Sequence, residues 1–599
     1  MKSTMEILAR IQGNSATNND EIFTKLYRYL LRPDIYYEAY KRLYVNKGAG
    51  TKGVNNDTAD GFSERKIAKI IQSLKDETFQ PTPVRRTYIE KKDGNGKKRP
   101  LGIPTFTDKL VQEVLRMILE SIYEPIFLDT SHGFRPRKSC HTALKKVKNG
   151  FMGIRWFIEG DIKGCFDNID HAVLVDFIRR KVADARLIKL IYKFLKAGYM
   201  ENWQYHNTYS GTPQGGIISP LLANICLHEL DKFAMKLMSE FNTSYGRKDT
   251  PEYNEARYKA RILSKKLKNA TGEERESLFA EYKTARAVQI KTPYTAQTQK
   301  RIQYVRYADD FLIGVNGNHE DCKVIKAKFA NFISETLKME LSNEKTLITH
   351  SSEYARFLGY NVRVRRNSQI RRGNATHCKM RTLNSQSELT IPLNDKIIKF
   401  LFAKGVIKQK PDGQLSPIHR PELLGCTELE IVSTYNSELR GICNYYNLAS
   451  NFCHLNYFSY LMEYSCLKTL ANKRKASISK IKNMFKDGKG SWGIPYETKK
   501  GKKRCYFVKY SDCKKSANVS DVIDNSAILF RHSVNTFEGR LAAKFCELCG
   551  TTESRYYEIH HINKVKNLKG KEPWERAMIA KRRKTMVLCI DCHHKIHNQ

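Results

Sequence analysis

Two adjacent aspartates, Asp309 and Asp310, stand in the middle of the apolar run YVRYADDFLIGV, which spans residues 304–315. The flanking residues are mostly aromatic, β-branched or leucine, which is typical of buried strands. An unpaired buried carboxylate costs several kcal/mol, and neighbouring carboxylates also repel each other. The run therefore predicts a strand, a tight turn and a second strand, with both carboxylates at the tip.

Asp161 ends a second apolar segment, RWFIEGD, in a similar way. A surface turn alone would explain Asp309 and Asp310, whereas carboxylates at two strand ends can converge on hard divalent cations. Two such ions about 4 Å apart promote phosphoryl transfer, because they activate an attacking hydroxyl and stabilise the leaving oxygens. The three aspartates are candidate catalytic residues on this reasoning.

The charge balance indicates a polyanionic partner: 104 Lys and Arg face 62 Asp and Glu, a formal charge of +42. Basic faces bind nucleic acids because binding releases counterions, although a basic surface without a specific ligand is the alternative. No apolar run approaches 18 residues and no signal segment follows Met1, so we expect a cytoplasmic protein without a membrane partner. The 15 Cys lack a compact disulfide framework, which suits a reducing compartment.

A chain of 599 residues predicts several domains. We expect a hairpin turning at Asp93-Gly94, a helix from Asp108 to Ile126, and a solvated helical insertion over residues 241–298. A composition shift near residue 486 suggests a linker into a small basic module.

Several motifs accompany YADD in a fixed order: EGDIKGCFDNIDH, GTPQGGIISPLLANI, LSNEKTLITH and ARFLGYNV. Together they resemble the reverse transcriptases encoded by group II introns. The resemblance implies a multidomain α+β fold: a right-hand polymerase whose fingers and palm include an antiparallel palm sheet, followed by an α-helical thumb. It also implies that Asp161 and Asp309 bind Mg2+, with Asp310 as the third carboxylate.

The same resemblance assigns nucleotide-binding roles to four residues. Arg99 matches a fingers residue that clamps the triphosphate, where a guanidinium can bind two phosphate oxygens. Phe166 matches an aromatic residue that excludes a 2′ hydroxyl, although an ordinary core phenylalanine is the alternative. Gln214 matches the residue beside the incoming dNTP, and Gly215 allows close backbone approach.

The segment YNSELRGICNYYNLASNF resembles the maturase or thumb region of this family, which binds intron RNA and assists its splicing. An apolar helical stripe from Ile431 to Tyr446 is explained by core packing. Arg440, Asn444 and Tyr445 are candidates for RNA contact, with a structural role as the alternative. The resemblance also places the N-terminal region on RNA.

Two Cys-x-x-Cys pairs, CELC and CIDC, lie within the final 54 residues. In a reducing compartment this spacing favours a tetrahedral Zn2+ over redox disulfides. The predicted zinc ligands are Cys546, Cys549, Cys589 and Cys592.

The histidines around these cysteine pairs resemble a zinc-stabilised HNH or ββα-metal nuclease domain. The resemblance implies that His560, His593 and His597 bind the catalytic Mg2+ and that His561 is the general base. The asparagine usually found shortly before the second cysteine pair is absent, with Lys584 nearby, which leaves the ligand set open. A DNA-binding module without cleavage is the alternative.

The resemblance thus predicts five regions: an N-terminal RNA-binding extension, fingers and palm, a maturase/thumb domain, a DNA-binding segment and the HNH domain. Their bounds are 1–65, 66–365, 366–480, 481–540 and 541–599. In the fourth region Trp492, Tyr496, Tyr506 and Phe507 lie among lysines, as in a DNA-contacting segment, and a solvated linker is the alternative.

The predicted function is a multifunctional intron-encoded protein that copies RNA into DNA from dNTPs, assists splicing, and cleaves double-stranded target DNA. The first DNA-strand insertion is carried out in this family by the intron RNA within the ribonucleoprotein. Three alternatives remain open: a retron-like reverse transcriptase, a splicing-only maturase, and a homing endonuclease that cleaves without RNA. A homodimer is also left open.

Overall fold

Two hydrophobic cores organise the chain. One joins the N-terminal helices, the polymerase helices, one face of the predicted palm sheet and the C-terminal unit. The other joins the opposite face of that sheet to the predicted thumb. The computed structural model describes residues 3–90, 98–202, 204–208, 210–211, 215–243, 249–292, 300–366, 370–372, 379–381, 385–488, 491–498, 501–514 and 536–598.

The N-terminal part is helical, as predicted, and contains α1 (Thr4–Thr17), α2 (Pro33–Leu43) and α3 (Glu64–Lys75). Serines cap the first turns of α1 and α3. The side chains of Ser3 and Ser63 accept hydrogen bonds from backbone N–H groups that have no partner within the helix. None of the helices in the described ranges is both long and apolar enough to cross a membrane.

The predicted hairpin is present as β1 (Val84–Glu90) and β2 (Lys98–Ile103), and its predicted turn at Asp93-Gly94 lies outside the described residues. The predicted helix follows as α4 (Phe106–Tyr123), which begins two residues earlier because Thr105 caps it. Nearly every residue of α4 is buried, so this helix forms the centre of the first core.

The next elements form the predicted palm and the rest of the fingers. They are α5 (Cys140–Gly150), β3 (Trp156–Asp161), α6 (Cys165–Asn168), α7 (His171–Arg179), α8 (Ala185–Leu195), β4 (Tyr199–Glu201), β5 (Gln204–His206), α9 (Ser219–Phe241), α10 (Pro251–Asn269), α11 (Gly272–Lys291), β6 (Arg301–Tyr307), β7 (Asp310–Asn316), α12 (His319–Glu335) and β8 (Ile348–His350). One sheet has the order β2-β1-β4-β5 and the other the order β6-β7-β3-β8. Neighbouring strands of the second sheet are all antiparallel, as predicted for a palm.

Helices α10 and α11 pack against each other and lie within the predicted insertion. Their buried residues are limited to Ala256, Ala260 and Gln289. The described part of the insertion is therefore helical and solvated, as expected from its density of charged residues.

Short strands and helices follow the palm sheet and include the predicted thumb, residues 366–480. One sheet, of order β13-β10-β9, crosses the predicted boundary at residue 365. The elements are β9 (Ala355–Phe357), β10 (Tyr360–Val364), β11 (Ile370–Arg372), β12 (Lys379–Arg381), β13 (Ser387–Thr390), α13 (Lys399–Ala403), β14 (Ile407–Gln409), β15 (Leu415–Pro417), α14 (Glu428–Tyr445), α15 (Leu455–Lys473) and α16 (Ile478–Phe485). Ile431, Tyr435 and Leu439 of the predicted stripe are fully buried on α14. A capping box between Thr427 and Glu430 fixes the start of that helix.

The predicted linker near residue 486 is not a linker in the structure. Strands β16 (Gly493–Thr498) and β17 (Gly501–Tyr506) form a hairpin, and α17 (Tyr510–Lys514) follows it. Trp492 and Phe507 stack at 5.2 Å and are buried in the second core. The lysine-rich composition concealed this packing, because the lysines of the hairpin strands are exposed while Trp492 and Phe507 beside the hairpin are buried.

The C-terminal unit has a ββα arrangement. Its elements are α18 (Thr536–Ala542), β18 (Tyr557–His561), α19 (Pro573–Lys581), β19 (Thr585–Cys589) and α20 (Ile590–His597). Strands β18 and β19 are antiparallel neighbours, and α20 packs on both. Phe62 of the N-terminal region pairs with Ile559 of β18, so the unit docks on that region.

Candidate active sites

The first site lies where two palm strands meet a tight turn. Asp310 begins β7 and pairs with Asp161 at the end of β3. Asp309 precedes it in the turn that joins β6 to β7, where Ala308 adopts a left-handed φ of 56°. The structure therefore brings the three predicted carboxylates together at one edge of the sheet.

Charge is concentrated among these carboxylates. Burial, together with the charges of Asp309 and Asp161, raises the pKa of Asp310 to about 7. Burial also raises the pKa of Asp309, while the positive charges of Arg99 and Lys345 act in the opposite direction. Such crowding of like charges is relieved by divalent cations, so the donor set fits Mg2+.

Lys345 is a site residue that sequence reasoning missed. Its ammonium group donates to Asp161 Oδ2 at 2.8 Å. Its position inside LSNEKTLITH was the available signal, since that motif matches a block of the family.

A buried arginine supports the catalytic turn from behind. Arg306 has no exposed surface and donates to both carboxylate oxygens of Asp231, at 2.8 and 2.6 Å. It also donates to the carbonyl oxygen of Ala308 at 2.9 Å and to Ser131 Oγ at 2.7 Å. The network fixes the backbone beside Asp309.

Two glycines allow close backbone approach around this site. A Cβ at Gly133 would lie 2.4 Å from the backbone nitrogen of Ala308, inside the catalytic turn. Gly215 has a φ of 107°, and a Cβ there would lie 2.3 Å from the carbonyl oxygen of Gly102 on β2. The predicted need for glycine at position 215 is thus explained by contact between the palm loop and the fingers.

Two of the remaining predicted nucleotide-binding residues, Arg99 and Phe166, lie in the described part of the chain. Arg99 is exposed on β2 and influences the pKa of Asp309. Phe166 is half-buried in α6 and packs edge-to-face on the exposed ring of Phe134 at 6.0 Å. Gln214 lies outside the described residues.

The four predicted zinc ligands converge, and their sulfur atoms all lie within 4.8 Å of one another. Burial raises the pKa of Cys546, but backbone N–H groups of Cys549, Cys589 and Leu548 outweigh it and lower the pKa to about 7. Amides directed at sulfur stabilise a thiolate, so this donor set fits a tetrahedral Zn2+.

A second cluster contains His560, His593, His597 and Asp60, with all four ligand atoms within 4.8 Å. Neither ring nitrogen of His560 has a hydrogen-bond partner among the described residues, although the residue is only 4% exposed. His593 Nδ1 lies 2.6 Å from Glu558 Oε2, the kind of outer contact that orients metal-binding histidines. The cluster therefore fits a divalent metal ion.

Asp60 was missed by sequence reasoning, because no local motif marks it. Burial alone would raise the pKa of its carboxyl, but the close imidazole rings of His560 and His593 hold that pKa well below its usual range. The same contacts with Asp60 and Glu558 outweigh burial and raise the pKa of His593 to about 9.

His561 is the predicted residue that the structure does not bring to this cluster. Adjacent residues of a strand face opposite sides, so its ring points away from that of His560. His561 Nε2 lies 3.1 Å from the carbonyl oxygen of Tyr44.

The three predicted RNA-contacting residues lie at the end of α14. Arg440 is exposed, whereas Asn444 and Tyr445 are half-buried. Tyr445 donates its hydroxyl to the carbonyl oxygen of Leu358 at 2.6 Å, and its own carbonyl lies 2.9 Å from His141 Nε2. Tyr445 thus supports the fold as well as facing the surface.

Three family models match the chain. A model described as reverse transcriptase (RNA-dependent DNA polymerase) matches residues 89–245 and 283–362, and one described as type II intron maturase matches residues 384–527. A model described as AI2M/AI1M-like, HNH endonuclease matches residues 546–593.

Relatives that match nearly all of this chain are also found. The chain is 61% identical over 599 residues to the group II intron-encoded protein LtrA of Lactococcus lactis subsp. cremoris, covering 100% of both chains. It is 36% identical over 577 residues to an uncharacterized 91 kDa protein in a cob intron of Schizosaccharomyces pombe, covering 95% of this chain and 69% of that protein. A putative COX1/OXI3 intron 2 protein of Saccharomyces cerevisiae is 32% identical over 618 residues, covering 98% of this chain and 68% of the relative.

Proposed function

This chain belongs to the group II intron-encoded proteins, and from that premise we propose which of its residues carry each activity. It is a multifunctional protein with reverse transcriptase, intron maturase and HNH endonuclease domains. One observation carries the polymerase assignment: Asp161 pairs with Asp310 across the palm sheet, beside Asp309 in the turn.

In the polymerase site Asp161 and Asp309 bind Mg2+ directly, and Asp310 supplies the third carboxylate. Mg2+ held by these carboxylates would supply the activation of the primer 3′ hydroxyl and the charge stabilisation that phosphoryl transfer needs. Lys345 offsets part of the carboxylate charge and orients Asp161 through its hydrogen bond. Arg306 holds the turn, so that the carboxylate of Asp309 keeps its position during the reaction.

The dNTP lies between the fingers and the palm. Arg99 binds its triphosphate, Phe166 excludes a 2′ hydroxyl, and Gln214 and Gly215 lie beside the nucleotide. The exposed guanidinium of Arg99 and its influence on the pKa of Asp309 support the first of these roles.

The intron RNA contacts the thumb and the N-terminal region. Arg440 is the best placed of the three thumb candidates, because its guanidinium is exposed and can pair with phosphate. Asn444 and Tyr445 contribute from the same end of α14. The formal charge of +42 supports a large RNA surface.

The C-terminal domain cleaves one strand of the double-stranded target DNA, and the new 3′ end primes synthesis on the intron RNA. His560, His593 and His597 hold the nuclease metal ion, and Zn2+ on the four cysteines has a structural role. His561 is the general base in this proposal, and the Tyr44 carbonyl oxygen lies 3.1 Å from its Nε2. Mg2+ was expected from the sequence, whereas three imidazole ligands suit a transition-metal ion better. A cytoplasmic location and a homodimer stay predictions.

The polymerase proposal is tested by Asp309→Asn, which keeps the size of the side chain and removes its charge. We expect RNA-templated dNTP incorporation to fall by about a thousandfold or more, because metal stabilisation of the transition state contributes several kcal/mol. Affinity for the intron RNA, measured by filter binding, is expected to stay unchanged.

Asp176→Asn is the matched control, because Asp176 is exposed on α7 and lies outside the site. This variant is expected to extend primers at the wild-type rate. Persistent extension by the Asp309 variant would contradict the assignment.

A further inference from the structure

A carboxylate from the N-terminal region enters the histidine cluster of the nuclease domain. Asp60 Oδ1 lies 3.3 Å from His560 Nδ1 and 3.3 Å from His593 Nε2. Asp60 Oδ2 lies 2.7 Å from His597 Nε2. Asp60 and His593 are separated by 533 positions in the chain, so only the docking of two domains creates this cluster.

Backbone pairing fixes the position of Asp60. The N–H of Gly61 donates to the carbonyl oxygen of Ile559 at 3.1 Å, and the N–H of Ile559 donates to the carbonyl oxygen of Phe62 at 2.9 Å. The N–H of His561 donates to Asp60 Oδ1 itself at 2.7 Å. Residues 60–62 therefore lie along the edge of β18, and a flexible surface contact would not be held in this way.

The aromatic residue next to Asp60 strengthens the docking. Phe62 is fully buried and stacks on Tyr40 of α2 with ring centroids 4.0 Å apart. Nearby, Arg65 donates to the hydroxyl of Tyr556 at 2.9 Å. Phe62 thus anchors residues 60–62 on the N-terminal helices, and Arg65 adds a direct hydrogen bond to the nuclease domain.

The cluster has the properties of a preformed metal-binding site. His560 is 4% exposed, its Nδ1 lies 3.3 Å from Asp60 Oδ1, and its Nε2 has no hydrogen-bond partner in the described part of the chain, which is costly without a ligand. Glu558 orients His593 from outside, as outer carboxylates do in metal sites. Three imidazoles and one carboxylate suit a divalent first-row transition metal.

We propose that Asp60 is a ligand of the nuclease metal ion, so that ion binding fastens the nuclease domain to the N-terminal region. This inference rests on the proposed nuclease site and extends it across a domain boundary. An ion that contacts both domains binds the docked arrangement more tightly than the separated one, and it therefore stabilises docking.

The first test measures Co2+ binding by visible absorption on the full-length, zinc-loaded protein. Asp60→Asn keeps an oxygen that can accept from the His561 N–H, so docking geometry is preserved while the charge is lost. We expect its Co2+ affinity to fall by about tenfold to a hundredfold, the range seen when the surroundings of a metal site are impaired.

Two further variants separate the outcomes. His560→Ala is expected to abolish this Co2+ signal, and Glu64→Gln, an exposed change in the same N-terminal region, is expected to leave it unchanged. If Asp60→Asn binds Co2+ as tightly as the wild type while His560→Ala does not bind it, Asp60 is not a ligand. The inference then fails while the nuclease site stands. If His560→Ala also binds normally, both the nuclease site and the inference fail.

The second test measures docking by hydrogen exchange of peptides that contain Gly61, Ile559 and His561, whose amides make the interdomain hydrogen bonds. Co2+ is expected to slow exchange of these amides in the wild type and to have little effect in Asp60→Asn. Equal protection in both proteins would overturn the proposal that Asp60 transmits ion binding to the interface.

Discussion

Arg306 is the residue whose role in the polymerase site depends on burial. It forms an ion pair with Asp231 in which both side chains are at most 1% exposed. Asn224 Oδ1 and Ser131 Oγ accept from the same guanidinium at 3.1 and 2.7 Å. Buried charges are stable only when paired and hydrogen-bonded, and this guanidinium meets both conditions.

We expect Arg306→Met to lower the free energy of unfolding by about 3–5 kcal/mol, because it leaves the Asp231 carboxylate buried and unpaired. Urea unfolding followed by fluorescence measures the change. Primer extension should also slow, since the Ala308 carbonyl loses its donor.

The matched comparison is Lys300→Met, which breaks an ion pair with Asp321 whose lysine side chain is 49% exposed. This change should cost about 1 kcal/mol or less, because water screens exposed pairs. The double variant Arg306→Met/Asp231→Leu should recover stability relative to Arg306→Met alone. An equal loss of unfolding free energy in Lys300→Met and Arg306→Met would show that the buried pair has no special role.

At the scale of elements, the β16–β17 hairpin is an integral part of the thumb. Trp492 is 3% exposed, stacks on Phe507, and donates its indole N–H to Glu463 Oε1 at 2.8 Å. Asn436 of α14 donates to the carbonyl oxygen of Tyr506 and accepts from the backbone N–H of Val508. The match of the maturase model to residues 384–527 agrees with this extent of the domain.

Trp492→Ala should lower the free energy of unfolding of the thumb by about 3–5 kcal/mol, because it leaves a cavity and removes the indole N–H that donates to Glu463. Hydrogen exchange of α14 and α15 measures the loss. Tyr506→Ala, on the same hairpin but 44% exposed, should change stability by about 0.5 kcal/mol or less. Similar exchange in both variants would mean that the hairpin does not stabilise the thumb.

The four predicted zinc ligands join the loop before β18 to the end of β19 and the start of α20. Cys546→Ser should remove one zinc ion per chain, measured by elemental analysis, and abolish DNA nicking, because small metal-bound units unfold without their ion. Primer extension should be retained, since the palm sheet is built from other strands. Cys453→Ser, an exposed cysteine in the thumb, is the control and should keep both zinc and nicking.

At the scale of the molecule, the formal charge of +42 determines how binding responds to salt. Affinity for the intron RNA should fall by about a thousandfold or more between 50 and 200 mM salt, if six or more phosphates are neutralised.

Arg440→Gln should reduce the slope of log affinity against log salt by about 1. Lys189→Gln serves as the comparison, because the ammonium of Lys189 is already paired with Glu77 at 3.1 Å. A slope unchanged in the Arg440 variant would remove this residue from the RNA surface.

Much of the architecture was predictable because it depends on the local periodicity of apolar residues and on the spacing of short motifs. The apolar run on both sides of Asp309 and Asp310 predicted the β6–β7 turn, and the helical spacing between Asp108 and Ile126 predicted α4. The two Cys-x-x-Cys pairs predicted a shared cluster. In each case the residues that determine the feature lie within one element or repeat the same short motif.

The tertiary structure alone decided which distant residues meet. The sequence does not show that Asp60 approaches His593 or that Trp492 packs into the thumb, and the motif that contains Lys345 does not identify Asp161 as its partner. The physical reason is that the local sequence pattern determines a segment's secondary structure and its buried face. The partners of a side chain depend instead on how whole elements pack. For Asp60 that packing is the pairing of residues 60–62 with β18, which joins the two ends of the chain at one metal-binding cluster.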